Sequence, residues 1–235
     1  GKQALLFYQT GRLSEAESKY NQIIEAMKRV FGPEHPYTMY VMGDLCTVYL
    51  AQKRFDDAER LRLTVVEGLT KSLGDDNGET LVAREHLGDV YYQQERYAAA
   101  EPVYRAVLEG NRKVFGPEHA FTRATELRLA RTLVRQGRAA EAEPMLAELV
   151  AFSRSGDGRK LSEHLVAHAE AFEQLGRVSE AEALLREVAE MPDGPARPRR
   201  ELIGAIRGLI RLCEAGGRGD DAARWRAHLA EIERR

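Results

Sequence analysis

The residues most able to do chemistry recur in a fixed frame. The stretch "FGPEHPYT", Phe31 to Thr38, returns as "FGPEHAFT" at Phe115 to Thr122, and a diverged copy, "LGDDNGET", lies at Leu73 to Thr80. A Glu and a His beside a Gly-Pro turn could ligate a metal ion or move a proton. The spacing argues against both. With helices packed at roughly 10 Å, His35 and His119 come on the order of 20 Å apart, too far to share one ion. The residue types suit a junction instead. Gly32 closes one helix with a left-handed residue, Pro33 stops it, His35 and Glu34 can cap the next helix, and Pro36 starts it.

Other candidates weigh the same way. "HLVAH" sets His164 and His168 one helical turn apart, as zinc could use, but only Glu170 offers a third ligand and no "HExxH" is present. His168 also stands in register with Leu45, Leu87 and Leu129, which points to a partly buried core histidine. "DDNGE", Asp75 to Glu79, hints at calcium but lacks the rest of a twelve-residue loop. "RGD", Arg218 to Asp220, coincides with a repeated turn motif. Cys46 and Cys213 fall on interior positions four repeats apart, too far for a disulfide. No phosphate-binding glycine loop and no "GxSxG" occurs, and the many carboxylates sit on solvated helical faces. No catalytic residue, metal or cofactor is assigned.

The elements that carry these residues follow a period. Phe31, Leu73 and Phe115 are 42 residues apart in turn. A second motif keeps the same step: "GRLSEAE" from Gly11, "KRFDDAE" from Lys53, "ERYAAAE" from Glu95 and "GRAAEAE" from Gly137. It continues as "GRVSEAE" from Gly176 and "GRGDDAA" from Gly217. Apolar residues on both sides of each copy recur at three and four, so each repeat is two helices around a short turn. First helices are predicted over 37–52, 79–94, 121–136, 160–175 and 199–215. Second helices are predicted over 14–30, 56–72, 98–114, 140–154, 179–190 and 220–234. Ser14 with Glu17, Ser179 with Glu182 and Asp56 with Glu59 fit a capping box at the start of a second helix.

Composition bounds the partner. The chain has 235 residues, 35 Lys plus Arg against 37 Asp plus Glu, and a formal charge of −2. That balance gives no general pull toward nucleic acid. The apolar runs are too short to span a bilayer, and the first residues lack the apolar core of a signal peptide. A cytoplasmic protein is expected, and the excess of Arg over Lys with abundant Ala suggests a bacterial source.

The helix–turn–helix unit, its small residues and its 42-residue step resemble the tetratricopeptide repeat, in the lengthened form of kinesin light chains and their bacterial relatives. Small positions map to Ala16, Ala58, Ala100, Ala142, Ala181 and Ala222, and the aromatic or aliphatic positions before them to Leu13, Phe55, Tyr97, Ala139 and Val178. Gly219 departs from that pattern. The resemblance implies an all-α, right-handed superhelical solenoid of five to six repeats in one domain. The repeats would divide as 1–31 (partial), 32–73, 74–115, 116–156, 157–194 and 195–235. The chain opens on half a helix, so a fragment of a longer protein is expected, with Trp225 covering the end of the core.

In that family the first helices line a concave groove. Aligned on it, the partner-binding residues are Tyr40, Thr47, Glu85, Asp89, Tyr92, Arg128, Arg131, Arg135, Glu170, Arg207 and Arg211. The resemblance implies a non-catalytic module that binds a peptide or protein segment, which could belong to another domain of the same polypeptide. Self-association is the alternative, and an RNA-binding helical repeat a lesser one. The charges could also be a solvated face pairing across neighbouring helices. Met42-Gly43-Asp44 stands where kinesin-light-chain repeats carry an Asn pair, and the carboxylate clamp of chaperone-binding repeats is missing, so neither ligand carries over.

Overall fold

A computed structural model describes residues 2–156, 158–192, 194 and 197–234. Among them the chain is all helix: α1 (Lys2–Gln9), α2 (Leu13–Phe31), α3 (Pro36–Ala51), α4 (Phe55–Leu73), α5 (Gly78–Gln93), α6 (Tyr97–Phe115), α7 (Ala120–Arg135), α8 (Ala139–Ser155), α9 (Leu161–Gln174), α10 (Val178–Glu190), α11 (Arg199–Ala215) and α12 (Gly219–Arg234). First and second helices alternate as the period requires, with ends within a residue or two of those expected. The chain forms two compact units, residues 1–125 and 126–235. In the first, α1 to α6 pack in chain order; in the second, α8 to α12 do so, and α9 also touches α11.

The small residue of each second helix explains the pairing. Ala16, Ala58 and Ala100 in the first unit, and Ala142, Ala181 and Ala222 in the second, are all fully buried at 0% exposure. Only a methyl group fits where two helices approach this closely. Larger side chains fill the layers beside them: Tyr20, Leu45, Val65 and Leu69 in the first unit, Leu165, Phe172, Leu185 and Leu209 in the second. Trp225 lies half-buried against the second core, as its place on the last helix suggests.

The turn between paired helices has a purpose that the sequence motif conceals. Gly11, Lys53, Glu95, Gly137, Gly176 and Gly217 all have positive φ between 59° and 78°. The arginine after each donates its main-chain N–H to the carbonyl five residues back, at 2.8–2.9 Å, which closes the first helix. Four of these arginines lay their guanidinium over an aromatic ring at that same position: Arg12 over Phe7, Arg54 over Tyr49, Arg96 over Tyr91 and Arg177 over Phe172, at 4.1–4.7 Å.

Here the capping-box expectation fails. The cap residues are Arg12, Arg54 and Arg177, and none caps through its side chain. Ser14, Asp56 and Ser179 already lie inside their helices. The glutamates reach the next repeat instead. Glu17 accepts from Gln52 at 2.9 Å and Arg54 at 2.8 Å, Glu59 from Gln94 at 2.9 Å and Arg96 at 2.6 Å, and Glu182 from Arg218 at 2.6 and 2.9 Å. Arg218 and then Arg186 hold the Glu182 carboxyl down to about 2. A carboxylate so placed links one second helix to the following turn. The "RGD" tripeptide is part of this tie.

The junction motif is punctuation in all three copies. His35 and His119 accept the N–H two residues on through Nδ1 at 3.2 Å, and Asn77 does so through its side-chain oxygen at 2.9 Å. The buried Thr38 and Thr122 donate to the carbonyls of Gly32 and Gly116 at 2.8 and 2.7 Å. Gly32 has φ 98° and ψ 161°. That corrects the expected left-handed helical closure: it is an extended, positive-φ conformation that only glycine enters readily. Glu34 pairs with Lys71, Asp76 with Lys113 and Asp75 with Arg84, so the two aspartates of "DDNGE" serve the junction. Cys46 and Cys213 are buried free thiols, and burial pushes Cys46 up to about 11.

Candidate functional site

The face carried by the first helices holds the expected binding residues, and the structure sorts them. On α3, Tyr40, Gly43, Asp44 and Thr47 fall on one stripe; on α5, Glu79, Val82, Ala83 and His86 do the same. Between them lies a recess of about 270 Å³, floored by Met39, Arg62, Val65 and Leu69. Tyr40 and Thr47, both expected, line it, and both are exposed.

The other expected residues of this unit serve internal contacts. Glu85 accepts a hydrogen bond from Thr125, Asp89 accepts from the buried Tyr104 hydroxyl at 2.7 Å, and Tyr92 stands edge-on to Tyr97 at 5.1 Å. In the second unit, Arg131 pairs with Glu163 at 3.0 Å, Arg207 with Glu233 at 3.1 Å and Arg211 with Glu173 at 3.1 Å. Arg128 is half-buried and its carbonyl accepts from Thr132, while Arg135 is exposed. Burial pushes the Glu170 carboxyl above its usual range, against the pull of Arg131 and Arg135. For Arg131, Arg207 and Arg211 the pairing alternative describes what is seen.

Sequence reasoning passed over Arg62, although the register marks it. In four of the other second helices its position is taken by Tyr20, Tyr104, Leu146 and Leu185, all buried; in α12 it is Arg226, which is exposed. Arg62 is 5% exposed, donates from Nη2 to the Gly43 carbonyl at 3.1 Å, and leaves Nε without an acceptor. A Cβ at Gly43 would come within 3.1 Å of Arg62 Nη1. Glycine inside a helix costs about 0.5–1 kcal/mol against alanine, and here it gives the guanidinium room against α3.

The histidine pair is structural. His164 is buried, with Nδ1 2.7 Å from Ser153 Oγ and 3.1 Å from the Leu149 carbonyl. His168 is 7% exposed, stacks on Phe172 at 4.2 Å and meets Glu143 at 3.2 Å. Burial lowers both imidazoles below 6.5, although Glu143 raises His168 and the Leu149 carbonyl and Glu163 raise His164. The unfolded chain therefore binds protons first as pH falls. The stability they contribute is complete above about 6.5 and is lost as pH drops through the lowered values. His168→Leu, the residue type of the other repeats, is expected to flatten the pH slope of urea unfolding between pH 7 and 5. An unchanged slope contradicts this placement. The raised Glu170 acts with opposite sign and is common to both proteins.

The alternation of helices, the buried alanines and the inter-repeat ties define a repeat, and sequence comparison decides which. Family models of the tetratricopeptide repeat match residues 1–61, 39–113 and 79–155, and a second such model matches 127–198. The chain belongs to the tetratricopeptide repeat family. No protein of curated function matches it in sequence. Among solved structures it is similar to a Podosopora anserina protein of nearly identical TPR-like repeats, named for kinesin light chain. That match has 23% identity and a TM-score of 0.70, over 79% of this chain and 90% of that one. It is also similar to BtubC (BKLC) from P. vanneervenii, with 17% identity and a TM-score of 0.69, over 83% and 82% of the two chains. A third likeness is to a Rap protein complexed with competence and sporulation factor, with 11% identity and a TM-score of 0.64, over 99% of this chain and 73% of that one. At these identities the likenesses show a shared tetratricopeptide fold. Among the described residues no helix is long and apolar enough to cross a membrane.

Proposed function

We propose that this tetratricopeptide chain is a non-catalytic interaction module that holds a segment of another protein, or of further sequence in the same polypeptide, against its first-helix face. The observation that carries the reading is the contrast between two recesses of the first unit. The one on the second-helix side, about 320 Å³ and lined by Ile24, Glu25, Lys28, Asp57, Arg60 and Leu61, has its charges closed by Glu25–Lys28 and Asp57–Arg60 pairs. The recess between α3 and α5 is the more enclosed of the two and is lined by the exposed Tyr40 and the half-buried Val82. The Rap likeness, a structure solved with its factor bound, supports the reading by analogy of fold.

The experiment is selection of binders from a displayed library of random dodecapeptides on the intact chain. Tyr40→Ala is expected to weaken the selected peptides by about tenfold or more, the range of an aromatic anchor. Equal binding by the variant counts against this face.

A self-associating role has one observation in its favour: Leu5 and Leu6 on α1 are 46% and 56% exposed. Concentration-dependent mass in sedimentation that disappears with Leu5→Ser and Leu6→Ser, while peptide binding is lacking, favours it.

A further inference from the structure

Many acids and bases among the described residues are matched to one another, helix to turn and helix to helix. The recess between α3 and α5 places two unmatched carboxylates beside a buried guanidinium. No hydrogen bond or ion pair among the described residues reaches the carboxylate of Asp44 or that of Glu79, whose one hydrogen bond to a side chain is made by its main-chain N–H. Both residues are exposed; the surrounding protein still takes enough water from the Asp44 carboxyl to push it up, although Arg62 pulls it down. Independently, Arg62 lies at the floor, more than nine-tenths buried, with Nε lacking an acceptor. The four buried counterparts of its position are Tyr or Leu, and the remaining one, Arg226 on α12, is exposed. An unsatisfied polar atom at such depth is uncommon in folded proteins, and this one belongs to a side chain that lines the recess.

The chemistry selects the occupant. Two carboxylates and one guanidinium leave the recess one negative charge in excess. An acidic segment would face both carboxylates, with only a guanidinium already engaged by the Gly43 carbonyl to receive it. A basic segment meets the opposite situation. Its cation answers Asp44 and Glu79, its methylene stem suits Val82, Met39 and Leu69, and the Tyr40 ring offers a face to the charge. A volume of about 270 Å³ suits one long side chain.

We infer that the recess takes the side chain of a lysine or arginine from the bound segment, its head between Asp44 and Glu79, while a main-chain carbonyl of that segment accepts from Arg62. This rests on the docking reading above and adds the residue class that the face recognises. Arg62 then fixes the path of the backbone, and the carboxylate pair fixes which side chain enters. Because both carboxylates are exposed, binding weakens as salt rises.

The test uses the dodecapeptide selection on the intact chain, run in parallel on wild type and on Asp44→Asn/Glu79→Gln. Both changes are near-isosteric, and neither carboxylate has a hydrogen bond or ion pair among the described residues to lose. Wild type is expected to enrich Lys or Arg at one peptide position. By fluorescence anisotropy, replacing that residue with Gln is expected to weaken binding by about tenfold or more, as does the double variant, with little further loss when the two are combined. Selected peptides that are sensitive to Tyr40→Ala but have no basic preference, or that bind the double variant equally, overturn the inference and leave the docking reading standing. Peptides insensitive to Tyr40→Ala overturn both.

Discussion

Replacing Tyr104 by alanine lowers the unfolding free energy of the first unit by about 3–5 kcal/mol, the cost of removing a large buried ring. Tyr104 is 1% exposed. Its ring fills the space left by Gly88, where a Cβ would lie 2.6 Å from the nearest ring carbon. Its hydroxyl donates to Asp89 at 2.7 Å. Tyr104→Phe keeps the ring and removes that bond, at about 1–2 kcal/mol for an acceptor that bears charge. Asp89→Ala should cost a similar amount, and the double change little more, because both single changes break one interaction. Urea unfolding of the four proteins decides the matter. If Asp89→Ala leaves stability untouched, Asp89 returns to the partner surface where its position on the first helix suggested it belonged.

Ala100→Leu is expected to destabilise by roughly 1–3 kcal/mol, through overpacking rather than lost contact. Ala100 is at 0% exposure, as are its counterparts Ala16 and Ala58 in the same unit. Added carbons at a close helix crossing must push the helices apart or force side chains off their rotamers. Ala99→Leu, one residue away and half-buried, controls for the added side chain and should cost much less. An unchanged melting temperature for Ala100→Leu contradicts the pairing of helices on which the repeat rests.

The fold was open to reading because every repeat states it again. Six fully buried alanines at nearly constant spacing, and three junctions with Gly, His or Asn and Thr in fixed places, leave little choice about where helices start and stop. The capping boxes misled for a physical reason. Ser-x-x-Glu suits a reciprocal cap, but here the arginine turn already closes the preceding helix, and the glutamate finds a stronger partner in the guanidinium of the next repeat. Sequence spacing alone does not reveal a partner 35 to 37 residues away, such as Gln52 and Arg54 for Glu17.

The candidate face was half legible. Register placed Tyr40 and Thr47 correctly on an open stripe, yet it could not tell that Glu85, Asp89, Arg131, Arg207 and Arg211 have partners within the fold. Arg62 and Gly43 were visible as departures from the repeat, a charge at a core position and a glycine inside a helix. Their meaning required the distance between them.

The most direct test of the central claim, that the first-helix face docks a polypeptide, is amide hydrogen exchange with and without a peptide selected on the intact chain. New protection is predicted on α3 around residues 40–47 and on α5 around 79–86, with α2 and α4 changing little. Protection centred instead on α2 and α4, around Ile24 and Leu61, contradicts the account and moves the function to the opposite side of the repeat.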